Sequence, residues 1–415
     1  MKAQTIEGQK FLERLENSLS PFEKFVAKPD IEENLTLVGN RRYLLNEFIK
    51  ILNENKTKRI IPLLANTGTG KTFFLHQIKD SLEINAPSLF IDVPPNSDIF
   101  YYDVYTKIVE VVNSSGLPGL RRITTKLADL WGASEMKYGL YRTGNVLKVL
   151  DQAKKTSSFK NSLHQPQLEE VMIVIITHAI DPERSPLAER WLLGDIMDYD
   201  ELFFLGVENN LSAKYMAEEL LHLFTDYLED GINLMFDDID KNWERYSKFD
   251  HSYEGDFDEF EEEYQTLTVV ENEEEIPDFF EQIVRLLNRN KKIKIILSMQ
   301  TKSKDEILSK FPEESKFLIN EPIKIVDFST KDAKEYYLEA LNLYRKKHNL
   351  SPVPDDPYFP LTEKLILLVY EYTLGNPREI IRNFQKIFDE MIFDETPIEQ
   401  LEKEFEDKVK NMNQN

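Results

Sequence analysis

Between Arg59 and Leu82 the chain spells a strand, a tight glycine-bearing turn and a helix in direct succession. The apolar run Ile60-Ile61-Pro62-Leu63-Leu64 leads into Ala65-Asn66-Thr67-Gly68-Thr69-Gly70-Lys71-Thr72, and Phe73, Phe74, Leu75 and Ile78 open a helical pattern. Successive backbone N–H groups in such a turn, with the positive end of the helix it opens, form a cradle for phosphate groups. Gly68 and Gly70 allow the backbone to turn tightly and approach a ligand. Lys71 is placed to reach the β- and γ-phosphates of a nucleoside triphosphate, and the Thr72 hydroxyl to coordinate Mg²⁺. Residues 65–72 alone fit ATP or GTP.

A second motif follows at Ile232-Asn233-Leu234-Met235-Phe236-Asp237-Asp238. An apolar strand ending in two carboxylates puts acid at the C-terminal edge of a sheet, where open α/β sheets bind ligands. Asp237 is expected to hold Mg²⁺ through water, and Asp238 to orient an attacking water. Ser88-Leu89-Phe90-Ile91-Asp92-Val93 and Lys292-Ile293-Lys294-Ile295-Ile296-Leu297 read as further buried parallel strands, and Ile323 to Phe328 as a last short one. Ser298 or Gln300, at the end of the 292–297 run, is a candidate contact to a γ-phosphate or attacking water. The turn Val38-Gly39, about 30 residues before the glycine loop, is a candidate adenine pocket. Arg378, in Gly375-Asn376-Pro377-Arg378 at a helix start, is placed to point back at a triphosphate; a surface arginine is the ordinary alternative.

Helical patterns cover the rest. Residues 1–35 carry Phe11, Leu12, Leu15 and Leu19 on one face, 113–200 is mostly helical, and Leu211 to Leu228 reads as one amphipathic helix closed by Gly231. From Ser329 the chain is helical to its end.

The net charge of −23 opposes wrapping nucleic acid over the whole surface, but it is unevenly spread. Residues 244–281 hold fifteen acidic side chains against two basic ones, and 121–160 hold nine basic against three acidic. The first reads as a solvated insertion. The second is either a helical insertion with solvated cations or a contact surface for DNA or an acidic partner. With no cysteine, disulfides, thiolate catalysis and cysteine–zinc sites are excluded. No run is long enough to span a bilayer, and 1–7 lacks the apolar core of a signal peptide, so a cytoplasmic location is expected.

The order of these parts resembles that of AAA+ ATPases, nearest the replication-initiator clade and the related STAND signalling ATPases, over about residues 36–392. The resemblance implies a P-loop NTPase fold: a parallel sheet of about five strands, with the P-loop strand beside the Walker B and sensor 1 strands, a helical insertion and a C-terminal helical lid. It implies an N-terminal segment 1–35, a nucleotide-binding domain 36–328 and a lid domain 329–415. Lys71 and Thr72 match the Walker A pair, Asp237 and Asp238 the Walker B pair, Ser298 or Gln300 sensor 1, and Arg378 sensor 2. ATP and Mg²⁺ are the implied cofactors; Val38, Gly39 and residues Ala65 to Phe73 would line the nucleotide. Trp191-Leu192-Leu193-Gly194 and the helix before the acidic strand are similar to ATP-binding proteins of BREX-type phage-defence systems.

The departures bear on turnover. Ala65 replaces a glycine, tolerable where φ stays negative. Asp238 stands where many relatives carry the longer glutamate. Ser309-Lys310-Phe311 occupies the place of a Ser-Arg-Phe arginine finger, and lysine lacks the bidentate guanidinium. About 23 residues follow the lid, too few for the winged helix of the initiators. The sequence therefore points to a slow ATPase or nucleotide-dependent switch acting on a protein partner, with a homo-oligomer as one arrangement. A DNA-associated ATPase in replication, transposition or phage defence, and a non-hydrolysing scaffold, are the alternatives.

Overall fold

The computed structural model describes residues 6–18, 20–22, 37–54, 56–82, 87–93, 99–114, 119–136, 146–225, 231–241, 279–353 and 356–413. Nearly all of the acidic run 244–281 and the helix start expected at Ser97 lie outside them. The expected α/β architecture is present, with five strands, all parallel. They are β1 (Ile60–Ala65), β2 (Ser88–Phe90), β3 (Ile232–Phe236), β4 (Ile293–Gln300) and β5 (Ile323–Lys324), in the order β2-β3-β4-β1-β5.

This order corrects one expectation. The strand before the glycine loop neighbours β4 but not the acidic strand β3, because β4 runs between them. Register nonetheless aligns their ends. Leu63 and Phe236 pair with Ser298 and Leu297 of β4, so Asp237 emerges level with Ser298. All six residues of β1 and all five of β3 are buried, as strands covered on both faces require. Pro62 sits within β1 at little cost. Alternate residues of β1 face β4, while Ile60 and Leu64 accept from Asn320 and Ile325 on the other side, where β5 pairs only with Leu63 and Leu64. The missing N–H of Pro62 falls in that gap.

Several elements are shorter than their sequence patterns. Only Ile323–Lys324 forms the last strand, since the chain then turns away to meet Gly375, whose carbonyl accepts from Phe328 N–H at 2.8 Å. The 88–93 run ladders over Ser88–Phe90, with one further bond from Ile91 N–H to Met235 O at 2.9 Å. The helix expected from 211 begins at Met216, because Tyr215 adopts φ 67° and stacks on His164 with ring centroids 3.7 Å apart. Gly231 has the left-handed φ of 77° that a helix cap would need, while the helix end expected before it, 226–230, lies outside the described residues; an added Cβ on it would lie 2.4 Å from Lys292 O.

Helices Leu120–Leu130, Val146–Ala153, Ser185–Leu192 and Met216–Thr225 surround the buried helix Gln165–Ile180 and share one apolar core with one face of the sheet. Trp191, fully buried there, donates its indole N–H to Asn209 O at 2.9 Å. A second core joins helices Thr330–His348, Glu363–Thr373, Pro377–Phe393 and Ile398–Met412. Helix Ile6–Glu16 belongs to it: Phe11 meets Tyr344 edge-on at 5.6 Å, and Phe22 stacks on Tyr337 at 5.6 Å.

Candidate functional site

The C-terminal end of β1 runs into the loop 66–70 and then into helix Lys71–Leu82. Gly68 has φ +82° and Gly70 φ +93°, a conformation open to glycine and costly to other residues. Thr69 N–H closes back on Asn66 O at 3.3 Å, and Phe74 N–H reaches Gly70 O at 3.0 Å, starting the helix. Ala65 is a fully buried strand residue paired with Gln300, so its methyl group is accommodated. Phe73 packs at the edge of the core formed by Phe48, Phe74 and Ile296.

Three of the expected side chains meet directly beside this loop. The Thr72 hydroxyl donates to Asp237 Oδ2, and the Ser298 hydroxyl donates to Asp237 Oδ1. Ser298 also accepts from Asp238 N–H at 3.2 Å. A small hydroxyl at the end of β4 thus bridges the strand that separates β1 from β3. Lys71, only 7% exposed, pairs with Asp238 Oδ1 at 3.3 Å, and Lys241 holds the other carboxylate oxygen. Asp238 itself has φ 47°. Burial pushes its carboxyl up, but the Lys241 hydrogen bond and the Lys71 charge outweigh this and hold it below the usual carboxylate range.

Of the two polar candidates on β4, Ser298 joins this cluster. Gln300 enters only through its backbone N–H, which reaches Asp240 Oδ1 at 3.3 Å. Asp240, 5% exposed, is a site-wall carboxylate that the sequence analysis did not single out. Lys310 is exposed at the end of the short helix Lys304–Ser309, beside Phe311, which is buried against Phe280 at 4.9 Å. It takes no part in these bonds.

The Val38-Gly39 turn lies against the helical domain. Val38 is buried with Phe328 and Tyr336, and Gly39 has φ 54° with Asp332 so close that an added Cβ would fall 1.6 Å from its Oδ1. A cavity of about 670 Å³ opens here between Gly39, Asn40, Asp327, Ser329 and Asp332. Arg41, the second residue of the following helix Asn40–Glu54, is a residue the sequence pattern does not mark. It is 7% exposed, lies 4.4 Å over the Phe328 ring and donates to Val326 O at 3.0 Å. A Cβ on Gly70 would be 3.4 Å from its Nη1, so the guanidinium borders the loop. Burial lowers its pKa to about 10 against the opposing pull of Asp332 and Asp327. Asp327 also accepts from the fully buried Thr69 hydroxyl at 3.1 Å.

Gly375-Asn376-Pro377-Arg378 comes to the same loop, with Asn376 capping helix Pro377–Phe393 through Glu379 N–H. The Asn376 amide donates to Thr67 O at 2.9 Å and Arg378 N–H donates to Gly68 O at 3.1 Å. Arg378 thus meets the loop through its backbone N–H and Asn376 through its side-chain amide, contacts that no residue-type pattern announces. Among the described residues no group of three or more His, Asp or Glu gathers to hold a metal ion, and no helix is long and apolar enough to cross a membrane. Comparison with known protein families, with curated proteins and with solved structures returned no match.

Proposed function

We propose that this chain is an AAA+-type P-loop ATPase that binds Mg-ATP at residues 65–72 and turns it over slowly, acting as a nucleotide-dependent switch on a protein partner. The observation that carries the reading is the Thr72–Asp237–Ser298 bonded chain beside a buried Lys71, at the mouth of a loop whose two glycines have positive φ. Thr72 and Asp237 offer the oxygen ligands that would hold Mg²⁺, which would neutralise phosphate charge when bound. Lys71 neutralises the β/γ-phosphates once it leaves Asp238. Asp238 then orients water, and its short carboxylate and lysine partners favour slow turnover. Val38, Gly39 and the cavity beside Asp332 suit the adenine end, and Arg378 and Asn376 couple the helical lid to the loop.

A protein partner is supported by the apolar side chains at one edge of the helical insertion: Ile196, Tyr199, Phe203 and Phe204 are 57–78% exposed. The DNA-associated reading through 121–160 has less support, because Lys154 pairs with Glu169 and Arg121 bonds to Ser185.

Titration calorimetry with ATP and Mg²⁺ tests the reading. Wild type is expected to bind and Lys71→Ala to lose at least about tenfold in affinity; equal affinity of the two would overturn it.

A further inference from the structure

The N-terminal edge of the sheet carries a second cavity, of about 600 Å³, with a different chemistry. Among the described residues five cations line it, Lys56, Arg59, Lys291, Lys292 and Lys294, and no carboxylate does. On a chain of net charge −23 this is a local reversal of sign. β1 begins at Ile60 beside it and ends at Ala65 before the glycine loop, so the two sites are about 20 Å apart along the strand.

Among the described residues no carboxylate meets the two charges at its floor. Arg59, 7% exposed, donates both Nη groups to backbone carbonyls, those of Asn290 and Leu287. Lys294 Nζ donates to the Leu52 carbonyl. Burial lowers the pKa of both groups, and no carboxylate acts in the opposite sense on either. The buried Arg59 and the part-buried Lys294, bonded to neutral oxygens and flanked by the exposed Lys56 and Lys291, produce a positive field focused by the low-dielectric wall. Asn53, Thr57 and Asn288 add neutral polar groups around it.

The rim adds an aromatic platform. Phe317 is 63% exposed, while the next residue, Leu318, is 2% exposed and anchors the 3₁₀ turn Glu313–Leu318 beneath it. A ring held in water beside a cluster of cations is the pairing used to bind single-stranded nucleic acid, with phosphates met by Lys and Arg and a base stacked on the ring. A site for a lone phosphate has no use for the ring, and an acidic peptide has little use for a flat stacking face.

We infer that this cavity is a docking site for a strand of single-stranded nucleic acid, on the face opposite the glycine loop. The site is independent of the proposed ATP reading and can fail or stand without it.

The test is fluorescence anisotropy of the full chain with labelled oligo-dT and oligo-U of about twelve nucleotides, between about 50 and 200 mM salt. Binding should weaken steeply with salt. The triple variant Lys56→Gln/Lys291→Gln/Lys292→Gln should lose at least about tenfold at the lowest salt and about 2 from the log–log salt slope. Phe317→Ala should lose about 5- to 100-fold with its slope unchanged. Lys148→Gln/Lys155→Gln, in the basic helical region, should bind as wild type. All the replaced lysines are exposed, so unfolding midpoints should match wild type and exclude misfolding as the cause. No binding at the lowest salt would overturn the inference, as would loss only in the Lys148/Lys155 variant. Competition by tripolyphosphate or poly-glutamate as strong as by oligonucleotide at equal charge would also overturn it, pointing to a general anion or an acidic polypeptide.

Discussion

The backbone N–H of Arg378 donates to the carbonyl of Gly68 at 3.1 Å, so the first turn of helix Pro377–Phe393 rests on the glycine loop itself. There is no room at Gly68 for more than hydrogen: a Cβ would lie 2.6 Å from Asn376 Oδ1 and 3.2 Å from Arg378 Cβ.

Loosening this contact should loosen loop and helix together. Asn376→Ala removes the bond to Thr67 O and the helix cap, and is expected to cost about 1 kcal/mol locally. Hydrogen exchange of the amides in 66–70 and 377–381 should speed up in parallel. Acceleration of one segment without the other would show that they are not coupled.

Lys71 pairs with Asp238 at 3.3 Å, and on the proposed reading a bound phosphate competes with that carboxylate for the same ammonium. Asp238→Asn frees the lysine and is expected to raise ATP affinity a few fold while cutting phosphate release by at least about a hundredfold. Lys71→Ala should lower both. Calorimetry and a phosphate-release assay separate the outcomes, and weaker ATP binding by Asp238→Asn would contradict the competition.

His178 gives a pH signature in the helical insertion. It is 1% exposed, its Nδ1 bonds to the Thr124 hydroxyl at 2.7 Å, and burial and then Arg121 lower its pKa to about 4. The unfolded chain protonates this ring near its ordinary value of about 6.5. Between those two values the unfolded state binds the extra proton, so stability falls as pH drops through that window. Melting curves should show a decline there that His178→Gln flattens.

Glu218 and Glu219 are 2% and 0% exposed, and Arg289 bonds to both, at 2.6 Å and 2.9 Å. Removing the guanidinium with Arg289→Met leaves buried carboxylates short of a partner, at an expected cost of about 3–5 kcal/mol in urea unfolding. Arg285 stays bonded to Glu218 at 2.9 Å but does not reach Glu219 in its place, so Glu219→Gln on the Arg289→Met background should recover part of the loss.

What the sequence disclosed here was local. The glycines at 68 and 70, the carboxylates after β3 and the apolar runs of β1, β3 and β4 are each written within a few residues, and each lies where its pattern says. Strand order is not local: nothing within 232–240 tells that β4 separates it from β1, and only the register of Phe236 on Leu297 brings Asp237 back to Thr72. Arg41 reads as one more cation at a helix start, and its burial over Phe328 exists only once the C-terminal helices are in place. The early break at Tyr215 depends on His164, some fifty residues away. Asn376 is legible as a cap, while its hold on Thr67 is not.

Helix Ile6–Glu16 has a consequence of its own. It is packed into the same cluster as Leu401 and Phe405, from the far end of the sequence, and its Arg14 side chain donates to His348 Nδ1 at 3.0 Å. The cluster that rests on the glycine loop therefore has a handle made from the opposite end of the chain. A fluorophore placed on residues 6–16 would therefore sit in the packing of helix Pro377–Phe393 and report on that cluster without touching the loop at all.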